Sequence, residues 1–420
     1  MRFGLPRMFA LRFLTSDGRL LFATRCTRLF AYGLLSVILV LYLSEVGLRD
    51  AEIGLLLTLT LLGDTAISLG ITTTADRTGR RKMLVLGALL MVFAGLLFAS
   101  SRSFVVLLLA ATIGVISPSG NEVGPFLSIE QSALSQIVSG QRRTRVFAWY
   151  NLLGSFATAF GALCGGVGAQ WLQGAGRRGA DVYRPLVIVY SGIGLLLAVG
   201  FAFVSKAVEV PATDHGIQPA VKPRFGLHRS RGTVLRLSGL FALDAFGGGF
   251  VIQSIIAYWL HLKFGVEPAA LGGIFLGANL LAGVSALAAG WLAGRIGLVN
   301  TMVFTHLPSN LLLMLVPLMP TAWLAVVVLL LRFSISQMDV PTRQSYTMAV
   351  VSPDERSAAS GVTSVARSIG ASISPMLATA LVGTSALASL PFFLAGGIKV
   401  LYDLLLYRSF VAVRPPEERH

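Results

Sequence analysis

Long apolar runs separated by short polar breaks dominate the chain. The runs fall at 20–44, 52–74, 83–101, 104–138, 146–171 and 184–204, and again at 233–261, 268–292, 299–319, 322–350, 357–383 and 388–412. Many reach the roughly 20 residues a helix needs to cross about 30 Å of hydrocarbon. The pattern predicts an all-α membrane protein with twelve transmembrane helices. One break differs in kind. The stretch 205–232, SKAVEVPATDHGIQPAVKPRFGLHRSRG, is rich in proline and cations and carries no apolar stripe, so it reads as an exposed linker between two six-helix halves. The expected organisation is an N-terminal segment 1–19, a bundle 20–204, the linker 205–232, a second bundle 233–413 and a tail 414–420.

Composition agrees with a membrane chain. Of 420 residues, 55% are hydrophobic and 13% charged, with a mean hydropathy of +0.76; a soluble domain averages about 25% charged residues. The net charge of +15 invites a nucleic-acid reading, but the cations follow topology. With a cytoplasmic N-terminus, the inside segments hold Arg2, Arg7, Arg12 and Arg19, then Arg77, Arg80, Arg81 and Lys82, then Arg142, Arg143 and Arg145, then the linker and tail cations. The outside loops hold only Arg49, Arg102, Arg177, Arg178, Arg184 and Lys263. This positive-inside bias places both termini in the cytoplasm of a plasma or inner membrane, with lipids rather than nucleic acid as the partner. Cys26 and Cys164, far apart within spans, define neither a disulfide framework nor a metal site. The N-terminal segment lacks a clean apolar core ahead of a small-residue cleavage site, so no cleaved signal is expected.

The halves repeat one another. Thr72 to Gly79, TTTADRTG, aligns with Gly290 to Gly297, GWLAGRIG; Glu130-Gln131-Ser132 aligns with Arg343-Gln344-Ser345, and Val138-Ser139 with Val351-Ser352. Matches in the same order and in corresponding hairpins support a duplicated, pseudo-symmetric unit with a site between the halves.

ADRTGRRK, after the second run, resembles the signature loop of the major facilitator superfamily, whose pattern is Gly-x-x-x-Asp-Arg-x-Gly-Arg-Arg/Lys. Asp76, Arg77, Gly79, Arg80 and Arg81 match it, and Thr72 stands where the family has Gly. The resemblance implies that this cluster latches the two halves in one state of an alternating-access cycle; the cations also suit a plain topology anchor. Gly161-Ala-Leu-Cys-Gly165-Gly166 is similar to an element of the family's antiporters, with Ala162 in place of Pro. It favours export over uptake, although small residues also serve close helix packing.

Ionisable residues at membrane depth are expensive and mark function by default. The resemblance implies that spans one, four, seven and ten line the central cavity, and most such residues lie there. Arg25 and Arg28 share a face of span one, and Asp64 lies in span two. Glu122 and Glu130 lie in span four, Asp244 in span seven, and Arg332, Asp339 and Arg343 in span ten. Spans four and ten are also interrupted, by Pro118, Gly120, Gly124 and Pro125 in one and Pro341 in the other. Glu122, between two interruptions, is the first candidate for a proton- or substrate-coupled carboxylate; an ion pair with Arg25 or Arg28 is the structural alternative. Asp64 suits a bond to a neighbouring helix. Asp244, beside Gly247-Gly248-Gly249, faces substrate or satisfies a kink. Arg332 is similar to an arginine the family often carries in span four, where this chain has Ser119. Glu130 and Arg343, at equivalent positions with opposite charges, are expected to meet across the pseudo-twofold axis as an inner gate. Lys399 and Asp403, four apart, are expected to pair, and Arg367 to pair with Asp339 or Asp403.

Enzymatic chemistry lacks a constellation. The five histidines are scattered, there is no His-Glu-x-x-His or Walker loop, and no cofactor or metal is expected. The expectation is a monomeric secondary transporter of major-facilitator type that exports a small amphiphilic organic compound in a proton-coupled cycle. The alternatives are proton-coupled uptake of a metabolite and a transporter-like receptor without flux.

Overall fold

The computed structural model describes residues 14–122, 124–138, 140–209, 229–352 and 355–413. Arg2, Arg7 and Arg12, most of the linker and the tail 414–420 lie outside the described residues, as do the side chains of Asp76, Arg77, Arg142, Arg143 and Arg145. Fifteen α-helices follow in order. The first half comprises α1 (Ser16–Val46), α2 (Asp50–Thr78), α3 (Arg80–Ser100), α4 (Phe104–Ile113), α5 (Phe126–Ile137), α6 (Gly140–Gly174) and α7 (Ala180–Ala202). The second comprises α8 (Arg231–Gly249), α9 (Gln253–Phe264), α10 (Pro268–Ile296), α11 (Leu298–Leu315), α12 (Ala322–Phe333), α13 (Asp339–Ala349), α14 (Arg356–Val382) and α15 (Leu390–Phe410). Ten segments are long and apolar enough to span a membrane, with α8 and α9 forming one of them. The remaining two spans are the interrupted pairs α4–α5 and α12–α13, so the twelve expected spans are present.

Local chemistry sets the ends. Thr15 caps α1 by accepting from the Gly18 amide at 3.2 Å, and Gly47 closes it in the left-handed region at φ 98°. Gly79, between α2 and α3, and its repeat partner Gly297, between α10 and α11, both take positive φ (109° and 88°), a turn that a side chain would strain. Outer helices present apolar side chains to lipid, among them Leu89, Phe93 and Leu96 on α3, whereas α1 is buried almost throughout.

Close packing follows the small residues. A β-carbon at Gly161 or Gly165 of α6 would stand 1.9 Å from the Phe30 carbonyl oxygen or 2.4 Å from that of Leu34, so α6 lies directly on the α1 backbone. In the second half, Gly370 of α14 meets the Ala242 carbonyl of α8 in the same way, at 2.2 Å. The two bundles thus share one packing device.

The described contacts between the halves run from the α1–α2 end to the middle of α6 and α10, where a β-carbon at Gly283 would lie 3.3 Å from that of Ser155. Gln253 donates to Ser36 Oγ (2.8 Å), the Ser254 amide to the Pro118 carbonyl (3.3 Å), and the Met376 amide to Thr58 Oγ1 (3.2 Å). Nearer the α1–α2 loop, Tyr258 donates to Asp50 (3.0 Å), and Gln170 bridges to Glu267 and the Ala269 amide. Gly166 and Gly54 sit against backbone of the opposite half there, a β-carbon falling 2.1 Å from the Pro268 oxygen or 2.7 Å from Met376 Cα. At the far ends of α10 and α14, β-carbons at Gly290, Gly294 and Gly361 would meet nothing within 4 Å. The described contacts between the bundles thus lie away from the end that carries the ADRTGRRK loop.

Candidate functional site

The interruptions of spans four and ten expose backbone groups that lipid cannot satisfy. Between α4 and α5, Gly120 and Gly124 adopt positive φ and the chain unwinds. Asp64 of α2 accepts from the Gly124 amide at 2.6 Å, and Ser117 donates to the Asn121 carbonyl at 2.7 Å. Tyr190 donates to the Val115 carbonyl. Asp64 therefore splints the broken span, the helix-bonding role read from the sequence. The same unwinding delivers Glu122 to α1.

In the first half Arg28 lies between two carboxylates. It reaches Glu122 Oε1 at 2.6 Å and Glu130 at 2.7 and 2.8 Å, with the Arg28 and Glu130 side chains fully buried. Arg25, one turn earlier, lies 3.2 Å from Glu122 and 3.3 Å from Asn151, with its guanidinium 4.2 Å from the centre of the Tyr150 ring. Tyr150 donates in turn to Glu130. Glu122 is thus held by both candidate arginines.

In the second half Asp244 is the hub. Lys399 Nζ lies 2.6 Å from one oxygen; Arg367 and Arg343 lie 3.1 and 3.2 Å from the other. Arg343 also holds Asp339 at 2.8 Å. Asp403 binds His306 Nδ1 at 2.8 Å and Asn310 at 3.0 Å. Arg332, at the end of α12, hydrogen-bonds none of the described groups, and its Nε is buried without a partner.

Three expectations change. Glu130 and Arg343 do not meet across the axis: each is buried in its own bundle, Glu130 on Arg28 of α1 and Arg343 on Asp339 of its own span and Asp244 of α8. Lys399 does not pair with Asp403, because packing turns Lys399 to Asp244 while His306 and Asn310 of α11 occupy Asp403. Arg367 joins Asp244 rather than Asp339 or Asp403. The ADRTGRRK loop makes its described contacts with the first half and the start of the linker. Glu209, at the start of the linker, accepts from the Arg80 and Arg81 amides at 2.7 and 3.2 Å, capping α3, while Arg80 reaches Gln136 at 2.8 Å and the Val208 carbonyl at 3.1 Å. Sequence reasoning missed His306, Asn310 and Tyr150; the i, i+4 spacing of His306 and Asn310 on an apolar span was the available signal.

The sequence profile of the Major Facilitator Superfamily matches residues 21–375. The uncharacterized membrane protein YJR124C of Saccharomyces cerevisiae is 27% identical, with 94% of each chain covered. Among solved structures, a mutant of the nucleoside transporter NupG superposes with a TM-score of 0.74 at 12% identity, covering 94% of this chain and all of that one. The D-xylose-proton symporter gives 0.71 at 15% identity, covering 93% of this chain and 97% of that one. With two six-helix halves, each with an interrupted fourth span, and a profile matched over most of its length, the chain belongs to the Major Facilitator Superfamily, and is a transporter rather than an enzyme.

Proposed function

We propose that the protein exports a small organic solute in a proton-coupled alternating-access cycle, with Glu122 as the coupling carboxylate. The observation that carries this reading is the placement of Glu122. It sits on unwound backbone rather than a rigid helix, and one carboxylate holds both Arg25 (3.2 Å) and Arg28 (2.6 Å). Protonation there removes the counter-charge of Arg25 and leaves Arg28 to Glu130 alone, a local change that can bias a two-state carrier. The positive-inside reading makes the end with the ADRTGRRK loop cytoplasmic, and the solute enters from that side. The export direction rests on the Gly161–Gly166 run, whose last glycine packs on Pro268 across the interface that must slide during the cycle.

The test is reconstitution in liposomes with an internal pH dye and pooled solutes. Solute-dependent proton movement that disappears in Glu122→Gln is the expected result. Solute accumulation driven by external acid would establish uptake instead. Coupled proton flux that survives Glu122→Gln would refute the assignment of the carboxylate.

A further inference from the structure

The charges around the second-half hub do not balance. Arg332, Arg343, Arg367 and Lys399 face the carboxylates Asp244, Asp339 and Asp403. Each carboxylate already has a cation or strong donor: both oxygens of Asp244 are taken by Lys399, Arg343 and Arg367, both of Asp403 by His306 and Asn310, and Asp339 holds Arg343. In the first half, Glu122 and Glu130 are matched by Arg25 and Arg28. Around the second-half hub the carboxylates are thus spoken for, while Asp64 of the first half, held by the Gly124 amide at 2.6 Å, has no cationic partner among the described residues. Arg332 is the reverse case. It hydrogen-bonds none of the described groups, its Nε is buried, and it lies within electrostatic reach of Asp244 and Asp339 without bonding either. Arg367 keeps one nitrogen on Asp244 while its side chain stays 34% exposed.

A guanidinium at membrane depth without a counter-charge is costly, and its planar donors suit a two-oxygen anion. We infer that Arg332 seats a carboxylate or phosphate group of the transported solute, which makes the substrate class organic anions. The inference rests on the carrier reading above, with the seat on α12 beside the break in span ten.

The test is thermal unfolding of the purified full-length protein in detergent at fixed ionic strength. The probes are benzoate, phenyl phosphate, benzyl alcohol, benzylammonium and dioctanoylphosphatidylglycerol. The expected result is a midpoint raised by several degrees by benzoate or phenyl phosphate and not by the alcohol or amine. That shift is lost in Arg332→Gln and partly kept in Arg332→Lys. Without probe, Arg332→Gln holds or raises the midpoint, whereas Arg343→Gln lowers it. Stabilisation by the amine alone, by no probe at all, or by the anions equally in Arg332→Gln overturns the inference. So does a loss in probe-free Arg332→Gln as large as in Arg343→Gln. A shift given by the phospholipid alone would assign the seat to a lipid headgroup and overturn the solute. Because the midpoint reads binding, an Arg332-dependent anion shift without flux in liposomes would refute transport and leave the seat standing.

Discussion

Glu130 of α5 grips Arg28 of α1 with both carboxylate oxygens, at 2.7 and 2.8 Å, in a site closed to solvent. The second half repeats the relationship with polarity reversed: Arg343, the repeat equivalent of Glu130, reaches Asp244 in the first span of its own half at 3.2 Å. Each bundle thus carries an internal pair between its first and fourth spans. Opposite charges at equivalent positions reflect two local solutions to one burial problem.

Removing one member of the first pair leaves a buried charge unmatched, so Arg28→Gln is expected to cost about 3–5 kcal/mol. The double reversal Arg28→Glu with Glu130→Arg recovers part of that loss, whereas reversing Glu130 together with Arg343 recovers none. Thermal midpoints in detergent measure both. Equal rescue by the second double variant would mean that the two halves exchange partners in another state.

At the second hub, Asp244→Asn leaves Lys399, Arg343 and Arg367 facing one another and is expected to be the most damaging substitution in that bundle, at about 3–5 kcal/mol. Lys399→Met removes one of three partners and costs less, about 1.5–3 kcal/mol. Exchanging Lys399 and Asp403 should not restore stability, since the two are not partners. Recovery in that double variant would contradict the hub.

The closed end can be tested by overfilling it. A β-carbon at Gly166 lies 2.1 Å from the Pro268 oxygen of the other half, so Gly166→Val penalises only the state in which these ends touch. A penalty of about 1–3 kcal/mol shifts the equilibrium roughly 5- to 150-fold toward the opposite opening. A cysteine replacing Ser36, buried under Gln253 in this state, should then react faster with an impermeant maleimide added from the α1–α2 side. Unchanged labelling would show that this interface stays shut throughout the cycle.

Glu209 joins the linker to the cationic loop by capping α3. Glu209→Gln weakens the charge-assisted bonds to the Arg80 and Arg81 amides and is expected to cost about 0.5–2 kcal/mol. Faster proteolysis within 205–232, with transport retained, is the expected signature. Loss of transport at unchanged stability would instead give this contact a part in gating, the role that the loop's resemblance implies.

The apolar runs determined the twelve spans by themselves, because crossing hydrocarbon leaves a chain little choice but a helix of about 20 residues. Glycines and prolines marked the interruption of span four, where Gly120 and Gly124 take positive φ. They marked that of span ten less directly, since the break at 334–338 precedes Pro341, and Pro185, Pro308 and Pro375 lie inside unbroken helices. Glu122 with Arg25 and Arg28 was also legible, as opposite charges on two spans have few other ways to be buried. Partner choice among the remaining charges was not. Lys399 and Asp403 stand four apart on α15, yet side-chain direction and the approach of α8 and α11 send one to Asp244 and the other to His306 and Asn310. Glu130 and Arg343 align in the repeat, but alignment carries no distance, and only packing showed each turned inward to its own first span. Which end of the bundles is closed, and the unmatched guanidinium of Arg332, likewise depend on how twelve rods are tilted against one another. Spacing along a chain fixes what a helix can present; the fold decides what meets it.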